Sequence, residues 1–128
     1  TGKSWGSEND MKKILIAEDD MFIAQAYKTK LEAAGAEVKL AEDGAEAIEI
    51  LKTYEPDVVV LDLVMPKQDG YDTLKLIRAS DKHKKLRIIV ATNLSQEEEL
   101  KKAKDAGADL CLIKSDTGVE KMAEIVLG

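Results

Sequence analysis

One cysteine in 128 residues excludes an internal disulfide and a cysteine-based zinc site, and it fits a reducing compartment. No apolar run approaches the roughly 18 residues that a membrane span requires. The opening stretch TGKSWGSEND is polar and has nothing of a signal peptide. Surplus positive charge is missing too: the formal net charge is −6, which argues against a phosphate-backbone binder. Only the loop from Lys82 to Arg87 approaches a basic patch. What is present is 45% hydrophobic and 34% charged residues, the proportions of a globular chain that can build a core. Its length is that of one domain. Residues 1–10 read as an added or disordered leader that leaves Trp5 without a role in the fold; Met11 opens a domain over 11–128.

The chain is organised around VVVLDLVMPKQDG, residues 58–70. Val58 to Leu61 form an apolar run that ends in Asp62, then in a loop with Pro66 and Asp69-Gly70. Such a run reads as a strand buried on both faces, and Asp62 then sits at its carboxyl end, where open α/β sheets hold their ligands. Alone, this segment fits a turn cap as well as a site. Lys12 to Ala17 makes another strand, ending in Glu18-Asp19-Asp20, and a helix with Gly35 as its stop follows. Ala36–Leu40 is a second strand; Asp43-Gly44 opens a helix that Pro56 ends. After the central strand at 57–61 come a helix at about 71–79, a strand over Arg87–Ala91 ending in Thr92-Asn93, and a helix running to Gly107. Ser95 with Glu98 gives that helix a capping-box signature. Asp109–Ile113 is the last strand, ending in Lys114, and a final helix carries Val119, Met122, Ala123 and Val126. The order is (βα)₅ with short right-handed crossovers: an α/β, doubly wound three-layer sandwich on a five-stranded parallel sheet.

With strand order 2-1-3-4-5, the strand ends bring Glu18, Asp19, Asp62, Thr92 and Lys114 to one edge. Close carboxylates raise one another's pKa unless they share a cation, and an oxygen-only set with room for water suits Mg²⁺. Carboxylate, hard cation, hydroxyl and ammonium are together what accepting a phosphoryl group on Asp62 requires.

ILIAEDD, VVVLDLVMPKQDG, IIVATN and LCLIK, in that order and spacing, resemble the receiver domain of two-component response regulators, a CheY-like, flavodoxin-like fold, from about residue 12 to 127. The resemblance implies that Asp62 takes phosphate from a histidine kinase or histidine phosphotransfer protein. It implies Mg²⁺ held by Asp19, by Glu18 directly or through water, by Asp62 and by the carbonyl of Val64. Thr92 would hydrogen-bond the phosphoryl group and Lys114 would pair with Asp62 or its phosphate. Output would pass to a protein target through the fourth helix, fifth strand and fifth helix, with no direct nucleic-acid or membrane contact and no turnover of an external substrate. The expected location is cytoplasmic.

Two departures stand out. Ser115 follows Lys114 where the family usually has a proline after a cis bond, and a non-proline cis bond costs about 3 kcal/mol. Cys111 stands where the family usually has an aromatic switch residue, so coupling to the surface must use other side chains. By the resemblance, Val64 and Leu94 would border the path of an attacking water; neither can orient one, so the phosphoaspartate is expected to hydrolyse slowly. Other residues read structurally: Asp20 as a helix cap, His83 as a solvated loop residue, Cys111 as a small half-buried side chain and Glu97-Glu98-Glu99 as favourable charge at a helix start. An aspartate-nucleophile phosphatase or mutase would want a second aspartate at Val64, and a flavodoxin-like cofactor binder would not have an acidic first loop. A phosphorylation-independent pseudo-receiver remains as the alternative.

Overall fold

The computed structural model describes residues 12–64, 70–93 and 96–128. The leader, Trp5, Met11, Pro66, Asp69, Leu94 and Ser95 lie outside the described residues. The elements alternate as expected: β1 (Lys13–Ala17), α1 (Met21–Ala33), β2 (Glu37–Ala41), α2 (Gly44–Leu51), β3 (Val58–Leu61), α3 (Gly70–Ala79), β4 (Arg87–Thr92), α4 (Glu97–Asp105), β5 (Leu110–Ile113) and α5 (Val119–Leu127). Short 3₁₀ turns at Asp81–His83 and Lys114–Asp116 join the last pieces. The five strands are parallel in the order β2-β1-β3-β4-β5.

The strand register explains the layers. Successive side chains of a strand point to opposite faces, and the sheet is covered on both. Leu15, Ala17, Val59, Leu61, Ile88 and Val90 pack beneath α2, α3 and α4, against Leu51, Leu74, Ile77 and Ala103. Ile14, Ile16, Val58, Val60, Ile89 and Ala91 face α1 and α5, against Tyr27, Leu31, Met122 and Val126. Every residue of β3 is buried, which is why it reads as an unbroken apolar run.

Local chemistry sets the helix ends. The Asp20 carboxylate accepts from the amides of Phe22 (3.0 Å) and Ile23 (3.3 Å), and that of Asp43 from the amide of Glu46 (2.8 Å). Gly35 and Gly107 close α1 and α4 at φ of 99° and 117°, the left-handed region open to glycine. Three details differ from the expectation. α2 stops at Leu51, ahead of Pro56, with the amides of Thr53 and Tyr54 both turned back on the Ile50 carbonyl. The cap position of α4 falls on Gln96, whose side chain makes no capping bond, and Glu97, Glu98 and Glu99 fill the first turn. His83 is half-buried in its 3₁₀ turn, not freely solvated.

Candidate functional site

Because all five strands run the same way, the residues that follow them meet at one edge. Asp62 follows β3, Glu18 and Asp19 follow β1, Thr92 ends β4 and Lys114 follows β5. A cavity of about 410 Å³ opens there, and Glu18, Asp19, Asp62, Val64, Thr92 and Lys114 all line it. Every site residue expected from the sequence is therefore brought to one place. Asp62, Glu18 and Thr92 are buried, whereas Asp19 is exposed.

The Lys114 ammonium lies between two carboxylates, 2.9 Å from Asp62 Oδ2 and 2.5 Å from Glu18 Oε1. The opposite oxygens are held by backbone: the Val64 amide donates to Asp62 Oδ1 (3.2 Å) and the Asp20 amide to Glu18 Oε2 (3.1 Å). Asp20 thus has two jobs, its side chain capping α1 and its amide fixing Glu18. Burial pushes the Glu18 carboxyl above its ordinary value; the charge of Asp62 adds to this, while Lys114 and the Asp20 amide oppose it. Burial pulls the Lys114 ammonium down, but its bonds to Glu18 and Asp62 outweigh that and hold it above the ordinary range.

One carboxylate oxygen from each of Glu18, Asp19 and Asp62 lies within 4.8 Å of the others. Two buried carboxylates against one ammonium leave the cluster net negative, and exposed Asp19 adds a third charge at the open side. An all-oxygen set of this size, lining an open cavity, fits a hard divalent cation such as Mg²⁺ and not zinc. Val64 presents its side chain to solvent at 58% exposure and adds an apolar group to an otherwise mostly polar cavity rim.

The loop around Lys114 needs no cis bond: none occurs among the described residues, so Lys114–Ser115 is trans. The Ser115 amide donates instead to Asn93 Oδ1 (3.0 Å), tying the end of β5 to the residue after Thr92. Cys111 is half-buried; its Sγ lies 3.8 Å from the Leu100 carbonyl, and burial pushes the thiol up. Sequence reasoning passed over two residues here. Asn93 is one. The other is Tyr71 in the first turn of α3, whose hydroxyl bonds the Glu99 carboxylate and lies 3.0 Å from the Glu99 carbonyl, with Lys102 Nζ 4.4 Å above its ring. Both partners are remote in sequence, 22 and 28 residues away, so no local pattern announces them.

Residues 14–126 match the family model described as the response regulator receiver domain. The chain is 39% identical over 98 residues to the chemotaxis protein CheY of Halobacterium salinarum, covering 77% of this chain and 80% of that protein. It spans about half the length of other curated relatives, several of them transcriptional regulators. Among solved structures, it is similar to the chemotaxis response regulator CheY4 of Vibrio cholerae, with a TM-score of 0.84, 30% identity, and 90% of this chain and 95% of that one covered. It also resembles the phosphorylated cyanobacterial phytochrome response regulator RcpA, with a TM-score of 0.81, 26% identity, and 92% and 90% covered. Fold, edge chemistry and these likenesses agree: the chain belongs to the response regulator receiver domain family.

Proposed function

We propose that this receiver domain accepts a phosphoryl group on Asp62 from the phosphohistidine of a histidine kinase or phosphotransfer protein. A carboxylate oxygen of Asp62 attacks phosphorus; a P–O bond forms as the P–N bond breaks, and the electron pair returns to the imidazole, which takes up a proton. The observation that supports this most is the position of Asp62, buried at the cavity wall with the Lys114 ammonium 2.9 Å away. Lys114 neutralises charge on the incoming oxygens, and in doing so gives up part of its hold on Asp62. Thr92, at the same wall, offers a hydroxyl to the phosphoryl group. Glu18, Asp19, Asp62 and the Val64 carbonyl are the groups that would hold Mg²⁺, which when bound supplies further neutralisation of phosphoryl charge. The reaction modifies the domain itself, and no external substrate is turned over.

Phosphorylation adds close to two negative charges beside Lys114 and Thr92. The loops after β3 and β4 then settle into a second arrangement, and the α4-β5-α5 face presents it to a protein target. With Cys111 in place of an aromatic, Tyr71 is the side chain placed to carry that change, because it joins the first turn of α3 to α4.

Incubation with Mg²⁺ and acetyl phosphate, read by intact mass, should add one phosphoryl group to the protein and none to Asp62→Asn. No added mass on the wild type would favour the alternative, a module that binds partners without phosphorylation, to which Cys111 and Ser115 lend some support. Val64 sets a further expectation. Its apolar side chain cannot orient a water, so Val64→Gln should shorten the phosphoaspartate's lifetime, measured as mass loss after the donor is removed.

A further inference from the structure

The space beside Asp62 continues past the phosphoacceptor cavity. A second cavity, of about 400 Å³, runs on from it between the start of α1 and the turn leading into α5, and the two share Ile23, Asn93 and Lys114. They differ in chemistry. The carboxylates of Glu18, Asp19, Asp20 and Asp62 line the first. The second has no acid among its lining residues; its walls are mostly apolar, from Phe22, Ile23, Ala26, Tyr27 and Val119, and its one charged residue is Lys114 at the shared end. Among the described residues the exposed large apolar side chains are Phe22, Val64, Leu76 and Val119, and all but Leu76 stand around these two cavities. Phe22 is the most open, at 91%. An exposed ring changes rotamer on the order of nanoseconds or faster, so it can close over a chain laid beside it. Asn93 is oriented: its Oδ1 accepts from the Ser115 amide at 3.0 Å, which leaves the Nδ2 hydrogens to donate elsewhere.

We propose that acyl phosphates with an apolar chain are phosphoryl donors to this domain, the phosphoryl group at Asp62 and Lys114 and the chain in the groove beside Phe22 and Val119. The proposal rests on the reading of Asp62 as the phosphoacceptor. Apolar walls that run into a few convergent polar groups suit a small molecule with an apolar body and one polar head. The head is an anion because the groove's single charge is the Lys114 ammonium, and it is a phosphoryl group because that end opens on Asp62. An Asp62 oxygen attacks phosphorus; the new O–P bond forms as the bond from phosphorus to the acyl oxygen breaks, and the electron pair leaves with the carboxylate. Negative charge then grows on the acyl oxygens, where Asn93 donates a hydrogen bond and Lys114 supplies positive charge. The chain in the groove adds binding that a two-carbon acyl group is too short to reach.

Acetyl, butyryl and hexanoyl phosphate release carboxylates of nearly equal basicity, so a comparison among them isolates chain length. Each would be given with Mg²⁺ to the intact chain at the same low concentration, and the gain of mass followed over time with Asp62→Asn as the blank. Hexanoyl phosphate should label several-fold faster than acetyl phosphate, with butyryl phosphate between. Phe22→Ser and Val119→Ser, both at exposed positions, should bring the hexanoyl rate down to the acetyl rate within the same variant. Leu76→Ser, at an exposed position away from both cavities, should keep the wild-type ratio. The proposal is overturned if no longer donor outruns acetyl phosphate, or if both groove variants keep the wild-type ratio. Equal labelling by all three donors sinks the groove alone, whereas no labelling of Asp62 by any of them sinks the phosphoacceptor reading and the groove with it.

Discussion

The two edges of the sheet each carry a cation held among oxygens, and they are built on opposite terms. At one, Arg78 donates from Nε to the Gly107 carbonyl (2.9 Å), from Nη1 to the carbonyls of His83, Lys84 and Leu86, and from Nη2 to Asp109 (2.8 Å). Asp109 in turn accepts from the Ile88 amide at 2.8 Å. One positive charge meets one negative charge, and the carbonyls take up the remaining donors. At the other edge, Lys114 alone faces two buried carboxylates, with Asp19 open beside them and a cavity above. The first cluster is complete; the second has surplus negative charge and room for something else. A satisfied buried network rigidifies a fold, whereas an unbalanced one in a cavity is where chemistry or binding is expected.

The largest effect should come from breaking the balanced edge. Arg78→Ala removes a donor from four carbonyls and the counter-charge from Asp109, and should cost about 3 kcal/mol, seen as a lower midpoint in urea. Phosphorylation of the folded fraction by acetyl phosphate should be unchanged. The unbalanced edge should respond the other way. Glu18→Gln leaves one ammonium facing one carboxylate and should stabilise the chelator-treated protein by about 1 kcal/mol near neutral pH, while reducing the Mg²⁺-induced rise in Tm.

That gain carries a pH signature. Since the folded Glu18 carboxyl is raised above its ordinary 4.5, its favourable contribution is complete below that value and is lost as pH climbs through the raised one. Glu18→Gln should therefore flatten the decline in stability from acid to neutral pH, read by melts in a chelator. The smallest effect belongs to the link between edge and surface. Tyr71→Phe removes the hydroxyl that bonds Glu99 and should cost about 1 kcal/mol. Hydrogen exchange over 97–105 should then respond less to acetyl phosphate, although Asp62 gains its phosphoryl group at the wild-type rate.

Much of the arrangement was legible because strand ends carry it. The apolar run Val58–Leu61 marks the buried strand, and the alternation of elements orders the sheet, so Glu18, Asp19, Asp62, Thr92 and Lys114 could be placed together. Caps such as Asp20 and Asp43 act within three residues of themselves and were equally readable, the second through the helix it opens. Contacts between distant segments were not. Asn93 meets Ser115, Tyr71 meets Glu99 and Arg78 meets Gly107 only because the fold has already closed. His83 looked solvated because its neighbours in the chain are charged; it is the helices above it, not those neighbours, that decide its burial. Pro56 pointed to a helix end, yet backbone turns at Ile50 finish α2 first.

The segment after β3 comes back to where it left. The Gly70 amide bonds the Leu63 carbonyl at 3.0 Å, and a Cβ on Gly70 would sit 2.2 Å from the carbonyl oxygen of Asp62. Position 70 is thus in direct touch with the main chain that carries the nucleophile, and a single methyl group there would push the aspartate's own backbone out of place.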